Sequence, residues 1–280
     1  MTRNTHSFTV SSLALAIGAL TTLGNIAWAD KLDDIRKAGV LRVAAFDGNP
    51  PFGYIDPASK KQVGHDIDLA TEFAKSLGVK IELVPTNPAN RIPLLTSGKA
   101  DVVFASFTIT DERAKAVDFT TPYFLVGQQF LAKKGVLKEA AQIKDIRIGT
   151  EKGTTMESNL RKNYPDAKVV LYDDSPFALA ALRNGNVQAI TNDGVKLTAQ
   201  WNAIPDKEKY EIPAITVSKE YLGAAVAKGE TRLLETLNAW LVDSEKNGRA
   251  VAIYVTWFGP NSKAPLPRLL KIGDQRVAAN

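Results

Sequence analysis

The sequence predicts an α/β protein of two similar lobes, each built on a parallel-type sheet. Apolar runs of strand length alternate with segments of helical periodicity along the chain, the pattern that yields sheets covered by helices. One layout also occurs twice at equal spacing. Leu95-Thr96-Ser97-Gly98 leads into a strand ending at Ser106, and Leu182-Arg183-Asn184-Gly185 leads into one ending at Asp193, eight positions after the glycine in each case. Extended apolar segments near residues 119–134 and 222–227 are placed to carry the chain between the lobes.

Residues 1–29 contain Arg3, no acid, an apolar run over 13–20 and the ending Ala27-Trp28-Ala29. This is the pattern of a cleavable secretory signal peptide, with cleavage before Asp30 and a periplasmic mature protein expected. The run is too short to cross a bilayer comfortably, and no later stretch approaches about 20 apolar residues. The chain has no cysteine, which excludes disulfides, thiolate metal sites and a lipid-bearing cysteine. The net charge of +5 is spread among 35 basic and 30 acidic residues, with no basic cluster interleaved with aromatics, so neither nucleic acid nor membrane is an expected partner.

A strand is expected over 41–45, and a loop over 47–54 from its Gly, Pro and Asn. A helix over 67–77 is closed by Gly78, a strand follows over 80–85, and a short helix over 90–98 has Pro93 in its first turn and Gly98 past its end. Residues 101–105 are of buried-strand type and 111–117 of helical type. In the second lobe, strands are expected over 147–150, 168–172 and 187–193, with helices over about 155–163 and 176–184. Helices over 230–247 and 250–258 follow the return crossover, with Tyr254, Trp257 and Phe258 as core aromatics. The domains are then a signal peptide at 1–29, lobe 1 at 30–124 and 222–280, and lobe 2 at 125–221.

Between strand 101–105 and helix 111–117 lie Ser106, Thr108 and Arg113. Ligands in open α/β sheets bind beyond the carboxyl ends of strands, and a guanidinium holds a carboxylate through two parallel hydrogen bonds. The alternative for Arg113 is an ion pair with Asp111 or Glu112 on a solvated face. Gly153-Thr154-Thr155 precedes a helix, whose free N–H groups suit an anion, though an ordinary cap has the same sequence. Arg91 opens a helix, where a cation opposes the dipole; it serves a function there or snorkels to solvent. Asp66 and Asp68 diverge at a helix start and are read as dipole-favoured acids. His65 has no histidine or cysteine co-ligand, so no metal is expected, and nothing points to a cofactor. If the two lobes face each other, Asp193 and the arginine clamp confront one volume with opposite charges, as a zwitterion requires.

The stretch 106–113 and the segment Gly64-His65-Asp66-Ile67-Asp68-Leu69 resemble the periplasmic amino-acid-binding proteins of ABC importers, family 3 of the bacterial extracellular solute-binding proteins. His65 stands where that family usually has an aromatic or aliphatic residue. The similarity runs from about residue 30 to 259. It implies a two-lobed periplasmic-binding-protein fold of type II-like form, with two extended crossovers and the ligand in the interlobe cleft. It also implies a monomer that is not an enzyme, capturing a polar L-amino acid and delivering it to an inner-membrane ABC permease. Carried over by residue, Arg113 and Thr108 bind the α-carboxylate, Thr154 and Thr155 add donors from the second lobe, and Asp193 with Ser106 holds the α-ammonium. Asn90-Arg91-Ile92-Pro93-Leu94-Leu95 resembles the aspartate- and glutamate-binding members, where the arginine meets the side-chain carboxylate. Glu151 stands where the family commonly has an uncharged or basic group. Facing inward it would repel an acidic ligand, and the competing reading is a neutral amide or basic amino acid with Glu151 as counter-charge. Phe46, Phe52 and Tyr54 are candidates for packing the ligand's aliphatic part. Cyclohexadienyl dehydratases share this fold, but that chemistry needs an acid/base group beyond the residues assigned to binding.

Overall fold

The computed structural model describes residues 1–2 and 30–274, so the expected signal peptide lies outside the described residues. Two five-stranded sheets form the two lobes. In the first, Val40–Phe46 pairs in parallel with Lys80–Thr86 on one side and Val102–Val103 on the other. Ala225–Ala227 and then Val117–Phe119 complete that sheet, Ala225–Ala227 running antiparallel to both neighbours. In the second, Arg147–Glu151 lies between Lys168–Tyr172 and Ala189–Asp193, all parallel, and Gln128–Lys133 pairs antiparallel with both Ala189–Asp193 and Tyr210–Glu211.

The sheets are therefore mixed where parallel ones were expected, and the reason is topological. The parallel strands point their carboxyl ends at the cleft, whereas Gln128–Lys133 and Ala225–Ala227 enter their sheets from the crossovers, at that same end. The crossovers are themselves strands: Glu220–Leu222 pairs antiparallel with Phe124–Val126.

Alternation along the strands feeds a core on both faces of each sheet. Leu41, Val43, Val102 and Phe104 pack on one side of the first sheet, and Ala44, Phe46, Val103 and Ala105 on the other. In the second lobe Leu131 and Ile190 lie on one face, Phe130, Ala132, Ile148 and Ala189 on the opposite face. The helices fall close to their expected spans, at His65–Ser76, Thr155–Asn163, Ser175–Arg183, Thr231–Lys246 and Arg249–Phe258. Two were not anticipated, Lys31–Ala38 and Gly194–Ala203, and the 47–54 loop contains the short strands Gly48–Asn49 and Gly53–Ile55. Tyr254 and Phe258 are core aromatics as read, and with Phe52 and Phe124 they surround the His65 ring.

Candidate functional site

The segment after Val102–Val103 leaves its sheet at the cleft and runs beside the crossover. Ile109 N–H donates to Tyr221 O, Gly223 N–H to Phe107 O, and Thr108 bridges to Leu222. Ser106 adopts φ 44°, a left-handed conformation costly for a side-chain-bearing residue and held only where the surroundings impose it. They do so from both ends of the residue. Its N–H donates to Asp66 Oδ2 at 2.7 Å, and its carbonyl accepts from Arg91 Nη1 at 3.1 Å. Asp66, read as a helix-start acid, is thus a buried anchor for the clamp, while Asp68 accepts from Trp257 Nε1 at 2.7 Å.

Thr110 caps the single turn Asp111–Ala114, accepting from Arg113 N–H, and this turn aims Arg113 inward. Arg113 Nη1 donates to Thr108 O and its Nη2 to Gly153 O of the other lobe, both at 2.8 Å. It makes no ion pair with Asp111 or Glu112. Arg91 is buried rather than snorkelling. It donates to the carbonyls of Pro88, Ala105, Ser106 and, at 3.2 Å, Gly153. The Phe107 ring lies 4.3 Å from the Arg91 guanidinium carbon and 4.9 Å from that of Arg113, so the two arginines converge on one aromatic and one carbonyl. Burial lowers both guanidinium pKa values, that of Arg113 to about 10, where the Glu220 charge opposes the fall. For Arg91 the neighbouring Arg113 adds to the fall, and Glu151 and Asp193 oppose it.

Across the cleft, Thr154 caps helix Thr155–Asn163, accepting from Glu157 N–H and donating to Glu151 O at 2.7 Å, so its hydroxyl is committed to the local turn. Thr155 Oγ1 donates to Glu220 Oε2 at 2.5 Å, and Thr108 Oγ1 donates to the same oxygen at 2.9 Å. Asn159 Nδ2 and Ser218 Oγ donate to Glu220 Oε1. The Glu220 carboxylate on the crossover therefore gathers hydroxyls from both sides of the cleft, a role the sequence reading missed.

Asp193 and Glu151 end adjacent strands of the second sheet, and both are buried. Asp193 Oδ2 lies 3.0 Å from Lys196 Nζ, while its Oδ1 has no partner. Ser106 Oγ and Tyr123 Oη are likewise buried without partners. Burial raises the Asp193 pKa against the pull of Lys196. Glu151 accepts from Asn192 Nδ2 at 2.5 Å, and burial lifts its pKa to about 7. Phe46 and Phe52 are buried beneath Lys196, whereas Tyr54 packs on Trp257.

Ser106 and Asp193 thus present unsatisfied acceptors, Arg113 and Arg91 meet at Gly153, Thr108 and Thr155 meet at Glu220, and Thr154 stays in its cap. Buried polar groups without partners are exceptional in folded proteins; besides Asn49 Oδ1, Tyr123 Oη, Gln200 Oε1 and Trp240 Nε1, the described residues include Ser106 Oγ and Asp193 Oδ1, two acceptors suited to an ammonium. No group of histidine, cysteine and acid side chains suited to a metal occurs among the described residues.

Residues 41–260 match the profile of the bacterial extracellular solute-binding proteins, family 3. The L-cystine-binding protein TcyJ of Escherichia coli is 32% identical over 250 residues, covering 88% of this chain and 93% of that protein. The solved structure of an ancestral arginine-binding protein bound to glutamine superposes with a TM-score of 0.75 at 41% identity, over 79% of this chain and 98% of that one. The glutamate/aspartate import solute-binding protein of E. coli is more distant, 28% identical over 274 residues, 91% of this chain and 89% of that protein.

Proposed function

The chain belongs to family 3 of the bacterial extracellular solute-binding proteins, and from that premise we propose that it captures a free polar L-amino acid in the periplasm and delivers it to an ABC permease. The mature protein would begin at Asp30 and act as a monomer, with lobe 1 formed by 30–124 and 222–280 and lobe 2 by 125–221. The observation that carries the reading is the pair of buried, unpartnered acceptors, Ser106 Oγ and Asp193 Oδ1, in a cleft that also holds Arg113. An α-ammonium supplies donors to the first two, and an α-carboxylate pairs with the third once Arg113 exchanges a carbonyl for it. Burying either charge of the ligand alone would be costly; supplying both counter-charges removes that cost.

An acidic ligand read by Arg91 has less in its favour than the zwitterion itself. A guanidinium has five N–H groups, and Arg91 makes four bonds to carbonyls, one of them across the cleft. We assign Arg91 to shaping the clamp and joining the lobes, and leave the ligand's side chain to other groups.

Calorimetry on protein unfolded and refolded to strip bound ligand tests the reading. Arg113→Ala and Asp193→Ala should each weaken amino-acid binding by about 2–5 kcal/mol, roughly thirtyfold to several thousandfold, with circular dichroism unchanged. Near-normal affinity in both variants would leave these side chains with intramolecular roles only.

A further inference from the structure

Lys196 is the charged side chain of the cleft that local structure explains least. It lies in the first turn of helix Gly194–Ala203, where the helix dipole disfavours a cation, and it is only 5% exposed. Its ammonium has one hydrogen-bond-range partner among the described residues, Asp193 Oδ2 at 3.0 Å, which leaves N–H donors unspent. It sits 5.5 Å from the centroid of Phe46 and 5.7 Å from that of Phe52, rings of the opposite lobe, so its head lies between the two walls of the cleft. A buried ion pair contributes little to stability by itself, and an apolar residue at this position would pack on the same rings without the desolvation cost.

We propose that Lys196 is a specificity-determining residue: it uses half of Asp193 as its own counter-ion and offers its remaining N–H groups to the ligand's side chain. This rests on the amino-acid reading above. Asp193 then serves two ammonium groups, Lys196 on Oδ2 and the ligand's α-ammonium on Oδ1. A side chain ending in an acceptor, such as a carboxylate or a carboxamide, gains the Lys196 donors. A side chain ending in a cation meets a fixed positive charge, with Glu151 and Asp174, whose charges also act on Lys196, as the nearby acidic groups besides Asp193.

The test is calorimetric titration of ligand-stripped wild type and Lys196→Met with glutamate, glutamine and arginine. In wild type, glutamate or glutamine should bind at least tenfold more tightly than arginine. In Lys196→Met that ratio should fall at least tenfold, with arginine gaining affinity as Glu151 becomes available to it. Lys196→Arg, which keeps the charge, should retain the wild-type order. Should Lys196→Met fail to fold, Lys196→Gln carries the same expectation for arginine. An unchanged ratio in a folded, uncharged variant overturns the proposal while leaving the amino-acid reading intact. Wild type that binds no amino acid at all overturns both.

Discussion

Replacing Glu151 with glutamine should stabilise the ligand-free protein at alkaline pH and leave it unchanged at acid pH. Glu151 ends the strand Arg147–Glu151, is buried, and has its carboxyl pKa raised from 4.5 to about 7. Burial is the main cause; Lys196 opposes it, Asp174 reinforces it, and, more weakly, Arg91 opposes and Asp193 reinforces it. A raised carboxyl pKa means that the folded chain holds its proton more tightly than the unfolded chain. The contribution to stability is fully present below 4.5 and is lost as pH climbs through about 7. At 1.36 kcal/mol per pH unit the loss amounts to about 3 kcal/mol. Glutamine keeps an oxygen for the Asn192 amide and cannot ionise, so it escapes the loss. Urea unfolding at pH 4 and pH 8 reads the difference: equal stabilities at pH 4, and the variant more stable by up to about 3 kcal/mol at pH 8. A variant less stable than wild type at pH 8 would mean that Glu151 is ionised and gains more from Lys196 than burial costs, refuting the reasoning.

Two further outcomes follow from backbone geometry and from the lobes. Gly64 has φ 144°, and a Cβ there would lie 2.1 Å from the Phe52 carbonyl oxygen, so Gly64→Ala should cost several kcal/mol or prevent folding; Gly39→Ala, where nothing lies within 4 Å, should cost about 1 kcal/mol, and calorimetric melting compares them. Hinge closure about ligand is known for periplasmic binding proteins as a class, so small-angle scattering on ligand-stripped protein should show a smaller radius of gyration once a bound amino acid is added, and no change at saturation would count against closure.

The sequence made legible what is decided locally. Thr231–Lys246 and Arg249–Phe258 are marked by apolar periodicity and by Gly248 between them; Lys31–Ala38, which is capped by Asp30 and Gly39 and buries Leu32 and Ile35, carried a comparable local signal that went unread. Strand direction in the two sheets was not legible, because it depends on where the crossovers enter. In the site, Ser106, Arg113 and Asp193 stand at strand ends or in a short motif and could be singled out. Glu220 could not, since Thr108, Thr155 and Asn159 lie 112, 65 and 61 positions away from it. Asp66 does lie in the first turn of its helix, as read, but its bond to Ser106 was not legible for the same reason: Ser106 is 40 residues distant, and only the fold brings the carboxylate to that amide. Lys196 carried a signal that went unread, a cation three residues after a candidate ligand carboxylate, in the first turn of a helix.

The central claim is that the cleft reads both charges of one zwitterion. Its most direct measurement is a calorimetric titration of ligand-stripped protein with the tightest-binding amino acid, its α-keto or des-amino analogue, and its α-carboxamide. Removing the ammonium leaves Asp193 and Ser106 unpaired, and removing the carboxylate charge leaves Arg113 without its partner. Each analogue should therefore bind at least about thirtyfold more weakly than the parent. Equal affinity for the parent and either analogue would contradict the account.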